Sequence, residues 1–188
     1  MVFPVIAHLG LSAAIIFLCV QINRLIAKEI FQRLYFKEEL FMPTTNHLLG
    51  SNKYYEDSIK AKIKNKIKER YQIILLNEVE ENQNESKARK LIASSVSQIR
   101  ISLKGNIMLL QHNIEYGFWR NLIGGCVLAV LFCITIYFFG INTKMNDLQI
   151  IGIIGFAIYI TPILLSKVII EFYGKYYSKI LYEQFLSL

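Results

Sequence analysis

The chain has 188 residues, 54% of them hydrophobic, with a mean hydropathy of +0.38 and a formal net charge of +7. A water-soluble domain of this length rarely carries so much apolar content, and one soluble core does not call for 12 Phe and 11 Tyr. The three cysteines, Cys19, Cys126 and Cys133, all fall in apolar runs; their spacing fits neither a disulfide framework nor a C-x2-C metal site, so they read as packing residues.

Charge is segregated along the chain. Of the 21 Lys and Arg, 17 lie between Asn23 and Arg120, together with 11 of the 14 Asp and Glu, which leaves two apolar ends around a charged middle of net charge +6. The pattern predicts an all-α integral membrane protein with three transmembrane helices and a helical cytosolic insert between the first and second.

Residues 1–22 form the first expected span. No basic segment precedes the run and no small-x-small site ends it, so an uncleaved span fits better than a signal peptide. His8 inside it reads as a helix-helix hydrogen-bonding group, with a pore-facing or protonatable role as the sharper alternative. The insert, 23–120, opens with Arg24, Lys28, Arg33 and Lys37 on a continuing helix that Met42-Pro43 breaks, since proline removes an N–H and disfavours helix before it. His47 has no cysteine or histidine near it in sequence and reads as structural.

Residues 54–71, YYEDSIKAKIKNKIKERY, alternate Ile and Lys. Their length and Lys/Glu content favour a helix over a strand, with Glu56 and Asp57 as an acidic first turn. At 100° per residue Ile59, Ile63 and Ile67 form a stripe flanked by Lys62, Lys66 and Arg70 on one side and Lys60, Lys64 and Lys68 on the other, stems along the contact and ammonium groups beyond it. Three readings stay open: a solvated helix packing on its neighbours, contact with anionic headgroups, or a polyanionic ligand with Tyr54, Tyr55 and Tyr71 stacking on bases. An acidic loop or fraying helix end follows over 77–85, and Ser86 reads as the N-cap of a helix with Ile92, Val96, Ile99 and Leu103 on one face. Gly105-Asn106 marks a stop. Beyond it Ile107, Leu110, Ile114 and Phe118 form a stripe leading into the next span.

That span is 121–141, 21 residues without a charge. A helix of that length is about 31 Å long, close to the hydrocarbon thickness of a bilayer. Tyr116, Phe118, Trp119 and Arg120 precede it, side chains suited to headgroup depth. Residues 148–167 form the third span, an antiparallel partner reached through a short link, with Thr161-Pro162 expected to kink its far end. The C-terminal 168–188 is expected to leave the bilayer or lie at its surface as an amphipathic helix. Lys and Arg near the membrane ends place the N-terminus outside and the insert and C-terminus in the cytoplasm.

No catalytic set is recognisable: the histidines are scattered, and a phosphate-cradling Gly loop, H-E-x-x-H and Ser-His-Asp order are missing, so neither an enzyme nor a metal or cofactor is expected. Within the spans Gly125, Ala129 and Cys133 recur every four residues, a small-residue face that admits another helix closely, and Gly152 with Gly155 notches the third span. Three spans enclose no wide water path alone, so a pathway requires a homo-oligomer; Thr135, Thr161 and His8 are the polar candidates to line it.

The layout of N-terminal span, helical insert and Asn113-Ile-Glu-Tyr-Gly-Phe-Trp-Arg-Asn121 leading into a span hairpin resembles the membrane effectors of bacterial antiphage systems, most of all the channel component of Hailong-type defence. The resemblance implies an oligomeric ion channel in a bacterial inner membrane that depolarises the infected cell. It further implies control by a short nucleic acid made by a partner nucleotidyltransferase and held at Lys60, Lys62, Lys64, Lys66, Lys68, Arg70 and Tyr71. Membrane accessory proteins associated with Cas13 are a neighbouring resemblance, though the R-x4-6-H ribonuclease signature is missing. The alternative function is a non-conducting scaffold that recruits a cytosolic partner.

Overall fold

The computed structural model describes residues 2–36 and 39–188, and their side chains except at 2–9, 30–32 and 39. Among the described residues every regular element is helical. These are α1 (Val2–Ile26), α2 (Arg33–Phe36), α3 (Pro43–Asn46), α4 (Asp57–Tyr71), α5 (Glu78–Gln83), α6 (Glu85–Ser102), α7 (Ile107–Thr143), α8 (Asn146–Leu164) and α9 (Ser166–Ser187), with a π-helical stretch at Ala27–Gln32 and a 3-10 turn at Glu39–Phe41. Three helical stretches, Gly10–Phe36, Ile107–Thr143 and Asn146–Leu164, are long and apolar enough to cross a membrane. The chain divides into two compact units, Met1–Leu34 with Phe118–Lys167, and Tyr35–Gly117 with Val168–Leu188.

In the first unit α7 and α8 form a tight antiparallel hairpin. Lys144 sits at φ +57°, Met145 N–H bonds Gly140 O at 2.9 Å and Lys144 N–H bonds Ile141 O at 3.2 Å. This is a left-handed C-terminal cap that satisfies two of the last carbonyls of α7. Two α8 glycines then set the spacing. A Cβ on Gly152 would lie 2.8 Å from Tyr137 Cβ and 3.0 Å from the Cys133 carbonyl, and one on Gly155 would lie 2.6 Å from Cys133 Sγ. On the other side of α7 it is Gly124, rather than Gly125, that takes the closest approach: a Cβ there would stand 2.6 Å from Asn23 Oδ1 and 2.9 Å from Ala27 Cβ of the α1 end. Pro162 lies in the last turn of α8, which closes at Leu164, as expected where the ring removes a ladder bond.

The second unit has its own apolar core. Ile63 and Ile67 of α4, Ile92, Val96 and Ile99 of α6, Leu48, and Leu181, Tyr182 and Phe185 of α9 are buried in one cluster. The stripes expected on α4 and α6 are therefore the packed ones. Three local expectations change. The acidic stretch after Asn77 is a helix, α5, started by a reciprocal capping box: Asn77 Oδ1 accepts from Glu80 N–H at 2.9 Å while Glu80 Oε2 accepts from Asn77 N–H at 3.0 Å. Asn84, not Ser86, caps α6, its Oδ1 accepting the Lys87 N–H at 3.0 Å; an amide oxygen serves that role as well as a hydroxyl. On α7 the inward residue is Leu109, while Ile107, Leu110 and Ile114 stay exposed. The C-terminal stretch carries an apolar face, and in α9 that face enters this core.

Candidate functional site

The basic helix α4 divides its lysines between structure and surface. Lys60 is buried, and its three N–H donors meet three acceptors: Gly50 O at 2.9 Å, Asn52 O at 3.0 Å and Asp57 Oδ1 at 2.8 Å. The Lys60 bond, with the charges of Lys60 and Lys53 behind it, holds the exposed Asp57 carboxyl below its usual range. Lys64 reaches Leu76 O at 3.0 Å and Glu81 Oε1 at 2.7 Å, and the other oxygen of that buried carboxylate accepts Gly50 N–H at 2.6 Å. Lys66 donates to Leu186 O at 2.9 Å with its ammonium over the Phe185 ring. Three of the five lysines thus tie α4 to the loop before it, the strap after it and α9. Lys62, Lys68 and Arg70 are exposed. Lys60, Lys64, Asn65 and Lys68 border an open groove of about 450 Å³ whose far wall is Ile74 to Glu78.

The tyrosines considered as base-stacking platforms are largely committed elsewhere. Tyr71 stacks on Phe185 and donates its hydroxyl to Ser102 Oγ at 2.7 Å. Tyr54 stacks on His47 with centroids 3.8 Å apart, and Tyr55 meets His47, Tyr54 and Tyr182 edge-on. Tyr182 in turn donates to the Thr44 carbonyl. His47 Nδ1 lies 2.9 Å from Ser178 Oγ, a base–hydroxyl pairing, yet both residues are sealed in the core, where no substrate reaches them. Burial first, and the Lys175 charge second, lower the His47 pKa to about 4. Among the described residues no group of three or more His, Cys, Asp or Glu gathers to hold a metal.

In the membrane-capable unit, Thr135 and Thr161 are exposed and each donates to the carbonyl four residues back, Leu131 O and Ala157 O, both at 2.9 Å. This is how a hydroxyl is accommodated in an apolar helix. Cys133 is buried against α8, and Ala129 and Gly125 are half-buried on α7. Trp119 and Arg120 are half-buried and Phe118 exposed at the start of the apolar run of α7; Tyr116, half-buried, belongs to the other unit. The side chain of His8 lies outside those described. Sequence reasoning passed over a cleft of about 320 Å³ lined by Asn23, Phe118, Asn121, Leu122, Gly125, Cys126 and Tyr159. The side-chain oxygens of Asn23 and Asn121 are buried there, and among the described residues neither has a hydrogen-bond partner. The signal was in plain sight: each asparagine stands at the end of an apolar run, where an uncharged polar group is easily taken for a boundary marker.

Among the described residues the fold is all-helical, with three helical stretches long and apolar enough to cross a bilayer. No protein family, curated protein or solved structure matches the chain.

Proposed function

We propose that this protein is a homo-oligomeric membrane channel or pore whose helical, basic unit lies in the cytoplasm and responds to a short anionic ligand, with antiphage defence by membrane depolarisation as its setting. The observation that carries the reading is the span unit itself. Leu131, Phe132, Phe138, Ile151, Ile153 and Ile158 are all more than half exposed within one chain. Three helices with so little mutual cover gain their partners from lipid and from other copies. The Lys and Arg distribution supports an N-terminus outside, and the resemblance to antiphage effectors supports a bacterial inner membrane.

The ligand is a nucleotide or oligonucleotide, and its contacts fall to Lys62, Lys68 and Arg70 and the groove beside Lys68. Lys60, Lys64 and Lys66 are already held by carbonyls and carboxylates. That same internal use supports a second reading, a non-conducting scaffold whose α4 is chiefly structural.

Ion flux into liposomes containing the purified chain separates the two. A channel conducts in at least one state, with or without short DNA or RNA oligomers; no conductance in any state removes it. For the ligand, Lys62→Glu with Lys68→Glu and Arg70→Glu should abolish oligonucleotide binding that weakens steeply with salt. Unchanged affinity in this triple variant removes α4 as the site.

A further inference from the structure

We propose that the π-helical stretch Ala27–Gln32 is a slip joint, which passes between π and α form by one residue and in doing so turns α1 by about 100° about its own axis. The inference goes beyond the channel reading and stands on the geometry around α1, whether or not the protein conducts. Before the joint α1 is nearly free of the rest of the chain. Every residue from Gly10 to Ile22 is exposed, and of the last turns only Asn23, Ile26 and Ala27 face inward. Their seat is Gly124 of α7, where a Cβ would stand 2.6 Å from Asn23 Oδ1, 2.9 Å from Ala27 Cβ and 2.9 Å from the Asn23 carbonyl oxygen. After the joint Phe36 is buried, and a Cβ on Gly174 of α9 would lie 3.3 Å from its ring. The chain passes between its two compact units at 34–35, 117–118 and 167–168. The second and third crossings fall inside the α-helices α7 and α9, while the first comes directly after the π-helical stretch.

A π turn closes each N–H on a carbonyl five residues back, against four in an α turn, so it holds one residue more between the same two anchors. Returned to the α form, that residue lengthens the helix by about 1.5 Å and re-phases everything before it by about 100°. Two opposing effects bring both states within reach. Ala27, 0% exposed, holds the present phase by packing on Gly124. Against it stands the π form itself, rare in proteins beside the α form. Against it too stands Asn23 Oδ1, which is buried at this contact and, among the described residues, accepts no hydrogen bond; an acceptor left so is costly. Turning α1 takes Asn23 off Gly124. Arg24 follows it and opens the charged part of the chain, so the freed amide is at a depth where water and headgroups supply donors.

The test is a distance measurement by double electron–electron resonance on the full-length protein in lipid nanodiscs. Spin labels go on Phe17→Cys of α1 and Phe132→Cys of α7, both well exposed, with Cys19, Cys126 and Cys133 changed to Ala and labelled chains diluted in unlabelled ones. Gly124→Ala sets a methyl where Ala27 and the Asn23 carbonyl stand, and should move most of the distance distribution to a second maximum. With Lys28 deleted as well it should not, because one residue fewer leaves a plain α-helix with both anchors in phase and no slack to release. Deleting Glu29 instead should act in the same way, since any one residue of the π turn is the surplus one. A Gly124→Ala distribution that keeps the parent's single maximum overturns the joint. So does an equal shift in the two deleted chains, which means that α1 tips away bodily instead of turning. Neither result bears on the channel, which liposome flux decides separately.

Discussion

Replacing Lys64 with Met tests whether α4 is built around its lysines or merely displays them. Glu81 is 4% exposed, and its two oxygens have distinct partners: Lys64 Nζ at 2.7 Å and Gly50 N–H at 2.6 Å. Met keeps the stem and removes the ammonium, so a buried carboxylate is left with one neutral donor. Breaking such a pair from one side costs about 3–5 kcal/mol. Lys64 opens on the groove and its side chain is 21% exposed, so water enters where the ammonium was, and the lower end, about 3 kcal/mol, applies. That is a large share of the roughly 5–15 kcal/mol that holds a typical domain folded. Amide hydrogen exchange in α4, α5 and α6 reads it directly, as about a hundredfold faster exchange wherever opening of the unit is the exchange-competent step. Adding Glu81→Leu removes the stranded charge and should recover most of the loss, leaving about 1 kcal/mol for the orphaned Gly50 N–H. Lys62→Met, at an exposed position of the same helix, should stay within about 0.5 kcal/mol. A Lys64→Met effect below about 1 kcal/mol, or a double variant no better than the single, refutes the argument, because the pair would then behave like an exposed ion pair.

Three further outcomes follow from local geometry. Gln72 ends α4 at φ +58°, a conformation that costs a residue with a Cβ about 1–2 kcal/mol, so Gln72→Gly should raise the midpoint of chemical unfolding and Gln72→Val lower it. Gly152→Leu cannot be accommodated where a Cβ already meets Tyr137 and the Cys133 carbonyl, and should splay α7 from α8; a Cys pair engineered across the hairpin would then lose its oxidative cross-link, and retained cross-linking contradicts the close approach. His47, with a folded pKa of about 4 against 6.5 when unfolded, is a base that the core keeps neutral. Below pH 6.5 the unfolded chain takes up a proton that the folded one refuses, so this contribution to stability falls as pH drops from 6.5 towards 4 and levels off beneath. His47→Gln should flatten that part of the pH profile relative to wild type, and an unaltered slope would assign it to other groups.

The span-forming stretches were legible because one physical variable, the absence of charge over a bilayer's thickness, decides them almost alone. The stripes Ile63–Ile67 and Ile92–Val96–Ile99 were equally plain, since a helix with one apolar face has one way to bury it. What the sequence hid was the use of polar atoms. A lysine on a periodic flank looks solvated, yet beyond Asp57 one turn back Lys60 finds two backbone acceptors, because the chain between Gly50 and Asn52 turns its carbonyls inward, a matter of tertiary path that no spacing encodes. Leu109 replaced Leu110 as the buried residue of α7 for a similar reason: after the break at Gly105, φ +94°, the new helix starts at a phase set by the turn and not by α6.

The two asparagines of the span unit belong to this same class of hidden information. Lys60, Lys64 and Glu81 were each matched by a local acceptor or donor, as buried polar groups in folded proteins nearly always are. Against that standard, Asn23 Oδ1 and Asn121 Oδ1 stand out: the two share one cleft, where Asn23 lies against Gly125, and among the described residues neither meets a donor.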